Sequence, residues 1–372
     1  MQYKHDYLVP DYYPSYVCKG PDCRSTCCKN WKITLTMEEY FSLLGLNCTS
    51  ELRQTLDCAM RLSDEPTPER YAVFSPNWEG DCRIHRADGW CALQKECGEE
   101  VLTSVCRYYP RSPRHAHTPE CSCSCSCEKT LELLFSHQEP LTFHRIPLTF
   151  RLSEEETVIP ISQYAEIRSA CISLLQDRSR SIPDRIRALS AYLLPEIDCR
   201  AADSDALLGH ALRTVLLLLT RLGHNSHNLN EHLPSLYDAM QITDPNDGAC
   251  ITESVITRYR SSRRRLPALL PDCDIKFEQM LVNHIFYDEF PFSDCVNRYL
   301  TDIASLVCVY AVLQFLSVCK CASRQENLPI PMSEWVDLYA AAFRLIDHTA
   351  FGINADKILS AANEPIGNLL LL

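Results

Sequence analysis

Glycine is scarce in this chain, with ten residues among 372, and no two of them form a Gly-x-Gly pair. Dinucleotide-binding folds and P-loops bring a Gly-rich turn against a phosphate, because only glycine lets the backbone approach so closely. The sequence therefore excludes the usual phosphate cradle of either kind. It also gives no support to a doubly wound nucleotide-binding sheet.

Excess positive charge and a leader sequence are missing as well. The chain has 36 Lys and Arg against 48 Asp and Glu, a net charge of −12. Nucleic acids and anionic membrane surfaces both select for a basic face, so we expect no nucleic-acid partner. Residues 1–16 lack the apolar core of a secretory signal, which predicts a cytoplasmic protein.

Cysteine, by contrast, is abundant. Fourteen of the 22 cysteines lie between Cys18 and Cys127. Thiols at this density bind a soft metal centre, form disulfides or stay free. A reducing cytoplasm disfavours stable disulfides, so a metal centre is the favoured interpretation.

The spacing of these cysteines does not fit the common metal motifs. No C-x2-C pair occurs, which argues against zinc hairpins, and the ferredoxin runs are absent. Cys23 and Cys27 match the first interval of the radical S-adenosylmethionine signature, but Asn30 stands where its third cysteine belongs. The sequence therefore predicts a discontinuous site with ligands from several segments.

Hydrophobic periodicity predicts a mainly α fold. We expect an irregular Cys-rich N-terminal metal-cluster region, residues 1–139, packed on a multi-helix body, residues 140–372, with few short strands. The stripes in the body predict seven helices: Tyr164–Gln176, Pro183–Leu194, Asp205–Leu222, Thr252–Arg265, Ile275–Asp288, Cys295–Cys319 and Ser333–Ile346.

The N-terminal region has its own local signals. Residues 31–36 alternate like a short strand, and Thr36-x-x-Glu39 predicts a capping box that begins a helix. Residues 141–152 favour an extended stretch, and His115–Cys127 shows no periodicity and predicts a loop. Residues 92–108 have helical spacing. One helix there would separate Cys91 from Cys106 by about 22 Å, unless the chain folds back.

A segment from Ile303 to Cys319 carries no charge for seventeen residues. That length is at the short limit for crossing a bilayer, and Gln314 and two serines interrupt it. We therefore expect a buried core helix and no transmembrane segment. Peripheral association with a membrane surface stays open, and the sequence leaves the oligomeric state unknown.

Two runs of the N-terminal region carry a family resemblance. The first is VCKGPDCRSTCCKNWKITLTMEEY, with its Thr-Cys-Cys and following Trp, and the second is CRIHRADGWCALQKECGEEVLTSVCRYYPR, which ends in Tyr-Pro-Arg. Together they resemble the flagellin lysine N-methylase family over about residues 16–128. A third family block, Ser-Cys followed by Pro-Glu-Ala, is matched at Ser126-Cys127 but departs there by lacking the proline.

The resemblance implies an enzyme that uses S-adenosylmethionine to methylate surface lysines of flagellin. It also implies a [4Fe-4S] cluster held by four thiolates. Cys27, Cys28, Cys82, Cys91 and Cys106 are the preferred source of those four, and Cys121, Cys123 and Cys125 lie outside the family pattern. The candidates that the resemblance carries over are Cys18, Cys23, Cys27, Cys28, Cys82, Cys91, Cys106 and Cys127.

Methyl transfer to lysine needs a neutral amine, and a free lysine is almost fully protonated at pH 7. A carboxylate or tyrosine hydroxyl near the acceptor could take the proton, so Glu99, Glu100, Tyr108 and Tyr109 of the second run are candidate catalytic residues. The alternative for the glutamates is that they are solvated helix-surface charges.

Arg107 and Arg111 are candidates for binding the cofactor's carboxylate, or for compensating the charge of an anionic cluster. The whole-protein alternative is a metal-binding or redox-sensing module without transferase activity.

Overall fold

The computed structural model describes residues 2–115, 117–151, 163–197, 199, 202–223, 226–292 and 299–372. Within these ranges the chain forms fifteen α-helices and seven strands, most of them short. The predicted fold class, mainly α with a Cys-rich N-terminal region and few short strands, is confirmed. The division at residue 139 stays a prediction.

A four-stranded sheet contains strands from both ends of the N-terminal region. Strand β1, Gln2–Pro10, pairs antiparallel with a strand at Phe143–Arg151 along its whole length. Its other edge pairs in parallel with a strand at Glu120–Cys123, which in turn pairs with one at Arg111–Arg114. The strand at 143–151 confirms the predicted extended stretch up to residue 151, and residue 152 lies outside the described residues.

A second, smaller sheet is formed by residues 34–74, which lie along the chain between β1 and the strand at Arg111–Arg114. Strands β2, Thr34–Leu35, and β3, Met60–Leu62, flank β4, Ala72–Phe74. Helices α1, Met37–Leu44, and α2, Ser50–Ala59, cover this sheet. Its core is separate and small: Ile33, Leu35, Leu43, Leu52, Leu56, Ala59, Ala72, Phe74, Ile84, Ala92 and Leu93.

The predicted capping box is confirmed at the start of α1. The Thr36 hydroxyl accepts a hydrogen bond from the Glu39 amide at 3.2 Å, and the Glu39 carboxylate accepts one from the Thr36 amide at 2.9 Å. This reciprocal pair satisfies two amides that the first helical turn would otherwise leave unpaired. Gly45 ends the helix, as its position predicts.

Three short helices complete the N-terminal region. They are α3, Ala92–Cys97, α4, Ser104–Tyr108, and α5, Glu128–Ser136. The strands that follow α4 are β5, Arg111–Arg114, and β6, Glu120–Cys123, and β7 is Phe143–Arg151. The prediction of a loop throughout 115–127 is wrong, because β6 finds its hydrogen-bond partners in the distant β1 and in β5.

The helical body contains the remaining ten helices. Six of the predicted helices are confirmed with small shifts at their ends, and the seventh is confirmed from residue 299 because its predicted start at Cys295 lies outside the described residues. The helices are α6 Tyr164–Leu175, α7 Ile182–Leu193, α8 Asp205–Leu222, α9 His227–Met240, α10 Glu253–Leu269, α11 Cys273–Tyr287, α12 Tyr299–Ala322, α13 Met332–His348, α14 Phe351–Ala362 and α15 Ile366–Leu369.

Helix α12 is the centre of the body. It packs against α8, α9, α10 and α14, and its most apolar eighteen-residue window is wholly buried. It is long and apolar enough to cross a membrane, but a buried core helix passes the same test. Its burial supports the core-helix interpretation, and peripheral membrane association stays a prediction.

Candidate functional site

The Cys27–Cys28 pair is joined to Cys82 by direct backbone pairing. The Cys82 amide donates to the Cys28 carbonyl at 2.8 Å, and Lys29 and Asp81 form an antiparallel bridge. Asn30 follows with a left-handed φ of 59°, and its amide donates to the Gly80 carbonyl. This pairing places the doublet next to a cysteine that lies more than fifty residues further along the chain.

A tight turn then returns the chain from Cys82 to Cys91. The His85 amide donates to the Cys82 carbonyl at 3.0 Å, and His85 and Cys91 form an isolated antiparallel bridge. Gly89 has a φ of +81° within the turn, and a Cβ atom there would lie 2.9 Å from Pro21 Cβ. A glycine is needed at this position on both grounds.

Cys106 reaches the same group because residues 92–108 do not form one helix. That prediction is wrong: α3 ends at Gly98, which has a φ of +86°, and α4 begins after Thr103. Glycine adopts this conformation easily, whereas other residues rarely do. The break folds the chain back, so the large Cys91–Cys106 separation expected for a continuous helix does not apply.

The five thiols of this group, called here the doublet cluster, lie in one another's electrostatic field. They are Cys27, Cys28, Cys82, Cys91 and Cys106. Burial, with a smaller contribution from the neighbouring thiols, raises the pKa of Cys82 and of Cys106 to about 12. A hydrogen bond from the Cys27 thiol lowers the pKa of Cys28, so Cys28 is the more readily ionised of the two.

The donor set of the doublet cluster fits an iron–sulfur centre in number and type. Among the described residues, no three His, Cys, Asp or Glu side chains are grouped to hold a single metal ion. The fit of the doublet cluster to an iron–sulfur centre is therefore one of donor number and donor type. Four cysteine thiolates are what such a cluster requires, and five are present here.

The other three candidate ligands form a neighbouring group. Cys18 is exposed, Cys23 is half-buried, and the Cys127 thiol is 3.7 Å from the Tyr16 hydroxyl. Burial raises the pKa of Cys23 to about 12, with Glu128, Cys127 and Cys18 adding to the rise. The eight candidates thus form a group of five and a neighbouring group of three, with Cys18 within the electrostatic field of Cys27, and their assignment as ligands stays a prediction.

The cysteines outside the family pattern lie in the core. Cys121, Cys123 and Cys125 are fully buried. The Cys121 thiol donates to the Tyr13 hydroxyl at 3.4 Å, and the Asn283 amide donates to the Cys125 sulfur at 3.2 Å. These contacts are those of packed, hydrogen-bonded core thiols.

A chain of hydrogen bonds begins at Tyr109, directly after α4. The Tyr109 hydroxyl is 3.0 Å from Ser126 Oγ, which is 2.7 Å from His348 Nε2. Ser124 Oγ donates to Asp347 Oδ2 at 2.6 Å, and Asp347 Oδ1 lies 3.1 Å from His284 Nδ1. We call Tyr109, Ser126, His348, Ser124 and Asp347 the polar relay.

The protonation states of the polar relay suit a proton acceptor at His348. Burial lowers the pKa of His348, against the effect of Asp347, so the imidazole is neutral at neutral pH. Burial raises the pKa of Tyr109, and the charge of Cys127 adds to that rise, so its hydroxyl stays protonated. With Ser124 donating to Asp347, the one hydroxyl hydrogen of Ser126 is shared between two acceptors at 2.7 Å, Ser124 Oγ and His348 Nε2, and the Ser126 oxygen can accept from Tyr109.

Trp31 and Arg344 border the relay on the side of the doublet cluster. The Trp31 ring centre is 4.5 Å from that of His348 and 5.3 Å from that of Tyr109. Arg344 lies over Trp31 and donates from Nη2 to the carbonyls of Ser25 and Thr26, just before the doublet. Its Nε and Nη1 are buried without a hydrogen-bond partner among the described residues.

Of the six candidate catalytic and cofactor-binding residues, Tyr109 alone belongs to the relay. Glu99 and Glu100 are exposed, and the Tyr108 ring packs edge-on against Phe150. The Arg107 guanidinium donates to the backbone carbonyls of Glu99, Glu100 and Leu102. Arg111 lies over the Tyr16 ring at 4.9 Å.

Sequence reasoning missed the serines, His348 and Asp347, because more than 220 residues separate the two halves of the relay. No local spacing signals such a contact. The local signal available was the Ser-x-Ser run at Ser124 and Ser126, whose serines alternate with the cysteines.

The fold and site define a mainly α protein with a thiol-rich N-terminal region. Residues 168–364, more than half of the chain, match the family described as the FliB lysine N-methylase C-terminal domain. The chain therefore belongs to the FliB lysine N-methylase family. No solved structure gives a significant match.

Individual relatives agree with that family. The chain is 23% identical over 215 residues to the lysine-N-methylase of Salmonella typhimurium strain LT2, and equally to that of Salmonella choleraesuis strain SC-B67. These matches cover 57% of this chain and 53% of each relative, so the chain spans about half the length of these curated relatives. The flagellar biosynthetic protein FliU of Salmonella muenchen is 26% identical over 106 residues, 28% of this chain and 60% of that protein.

Proposed function

We propose that this protein is a protein-lysine N-methyltransferase that acts on flagellin in the cytoplasm. It uses S-adenosylmethionine and carries a [4Fe-4S] cluster bound by thiolates of the doublet cluster. The observation that carries the proposal is the position of the polar relay. It joins the family-matched helical body, through His348 and Asp347, to Tyr109 beside the thiols.

S-adenosylmethionine, when bound, supplies a methyl group on a positively charged sulfur. The protein must provide a neutral lysine amine. Burial of the substrate amine beside Trp31 and Tyr109 would remove it from water, and this desolvation lowers the pKa of the amine. The charge of Arg344, which forms no ion pair within the described part of the chain, acts in the same direction, because a nearby cation disfavours a second one.

The polar relay then gives the amine proton a path. The lysine ammonium donates its proton to the Tyr109 oxygen as the Tyr109 proton passes to Ser126 and the Ser126 proton passes to His348 Nε2, which becomes protonated. The lysine nitrogen uses its freed electron pair for the new bond to the methyl carbon. The sulfur keeps the electron pair of the broken carbon–sulfur bond.

Purified flagellin and methyl-labelled S-adenosylmethionine test the proposal directly. Wild-type protein, prepared without oxygen, should transfer label to lysine. Tyr109→Phe keeps the ring but removes the relay hydroxyl, and should lower kcat by roughly a hundredfold with iron content unchanged. Tyr192→Phe, at an exposed site on α7, is the matched control and should keep full activity.

The outcomes separate the two functions. Label on lysine supports the transferase. Bound iron without any label transfer would reject the transferase and leave a metal-binding or redox-sensing module. Stoichiometric zinc without iron or sulfide would reject the cluster.

A further inference from the structure

A groove crosses the N-terminal region next to the thiols. It lies between α1, the loop at residues 68–69 and the segment from residue 100 through α4, and its volume is about 730 Å³. Its wall is the helix that carries Cys106, and Tyr109 follows that helix directly. A segment bound in the groove would therefore lie beside the doublet cluster and the polar relay.

The apolar lining of the groove is unusually exposed. Phe41 is 54% exposed and Met37 is 37% exposed, both on α1. The Phe41 ring packs edge-on against Tyr40 and at a tilt against Tyr71. Large side chains exposed in this way next to a concave surface are typical of an interaction site.

The charged side chains of the groove that are available to a partner are acidic. Glu38, Glu69 and Glu100 are exposed, and their carboxylates form no ion pair among the described residues. The Glu39 carboxylate already accepts the Thr36 and Ser104 amides. Arg107 is the lone cationic side chain in the lining, and backbone carbonyls occupy its guanidinium.

We propose that this groove docks an amphipathic, lysine-bearing segment of the folded protein substrate and so delivers one of its lysines to Tyr109. This inference rests on the proposed function. Apolar side chains of the segment cover Phe41 and Met37, while neighbouring lysines pair with Glu38, Glu69 and Glu100. Opposite charges speed association and set the register, and the apolar contact slows dissociation.

Binding of folded flagellin, measured without methyl donor, tests the groove apart from the chemistry. The double variant Glu38→Lys/Glu69→Lys should raise Kd on the order of tenfold, and raised salt should weaken the wild-type complex more than that of the variant. Glu166→Lys/Asp238→Lys makes the same change of net charge on exposed sites of α6 and α9, and should stay within about twofold of wild type.

A second pair of variants tests the apolar contact. Phe41→Ser should also raise Kd, whereas Ile353→Ser, at a site on α14 that is 45% exposed, should not. Groove variants that fold and bind flagellin like their controls would overturn the proposal. Wild-type protein that binds through the groove but transfers no label would reject the proposed function and leave the docking site standing.

Discussion

Cys28 differs from the cysteines around it in its ease of ionisation. The Cys27 thiol donates a hydrogen bond to it, while burial raises the pKa of Cys82, Cys91 and Cys106. A metal reverses the burial penalty, because each ligand must bind as a thiolate. Metal binding by the doublet cluster would therefore have to displace the protons that burial keeps on Cys82, Cys91 and Cys106.

Single replacements test this ligand set. Cys28→Ser and Cys106→Ser should each lower the iron bound per chain, because a cubane that loses one of four thiolates is less stable. Cys308→Ser, in the fully buried part of α12, should leave iron unchanged. Iron and sulfide assays of protein prepared without oxygen give the result, and equal iron in all three variants would contradict the assignment.

His284 provides a test that depends on pH. Burial opposes its charge, but the hydrogen bond and charge of Asp347 outweigh burial and raise the pKa of His284. Because the folded pKa is raised, the pair contributes fully below the unfolded value of about 6.5, and the contribution is lost as pH rises through the folded pKa.

His284→Gln keeps a donor for Asp347 but removes the titration. Urea unfolding from pH 6 to pH 9 should show the wild type losing roughly 1 to 3 kcal/mol more than the variant. A parallel fall in both proteins would show that the His284–Asp347 pair does not titrate in this range.

At the scale of elements, the break between α3 and α4 is the feature that assembles the doublet cluster. Gly98→Ala should cost about 1 to 3 kcal/mol, because no other residue adopts its backbone conformation easily. It should also lower bound iron by moving Cys106 away from Cys91. Gly223→Ala is the matched control. It has an ordinary φ of −67° and open space around it, so it should be neutral or slightly stabilising.

A comparison of the predicted and the observed helices and strands shows which of them the sequence can predict. Helix α8 was predicted at its observed bounds, since it carries an apolar stripe, a Ser204 cap and Gly223 at its end. Helix α9 was missed although Leu229, Leu233, Leu236 and Met240 recur at helical spacing, because Pro234 lies in its interior and proline usually ends a helix. Strand β1 was missed because its pairing with β7 is not a local property.

In the candidate site, too, residues marked by a local sequence pattern could be predicted, and residues brought together by the tertiary fold could not. The cysteines of the doublet cluster were singled out because each stands in a recognisable run. The polar relay could not be predicted, because common residues form it and the tertiary fold brings them together. The helix predicted over residues 92–108 is interrupted at Gly98 in the structure. Helical periodicity did not reveal this break, because the spacing of apolar residues does not indicate where the backbone must turn.

For the whole molecule, two hydrophobic cores of very different size share one chain. The smaller core contains eleven buried residues and supports the doublet cluster, whereas the larger spans the sheet and the helical body. So few residues give little stability without a further link, and the proposed metal cluster would supply one. Removing the metal should therefore loosen residues 31–108 selectively.

Amide hydrogen exchange measures that effect. With a chelator and reductant, amides of α3 and α4 should exchange much faster, while those of α12 keep their protection. Reloading with iron and sulfide should restore the slow exchange. Uniform acceleration across both cores would mean that the metal stabilises the whole chain instead.

The contact of Arg344 with the carbonyls of Ser25 and Thr26 has a consequence for the order of events during synthesis. It joins residues more than 300 positions apart, at the base of the Cys27–Cys28 doublet. A ribosome releases α13 only after more than 300 further residues, so the doublet lacks this support while those residues are being made. The proposed cluster would therefore have this supporting contact only once α13 has been made and folded.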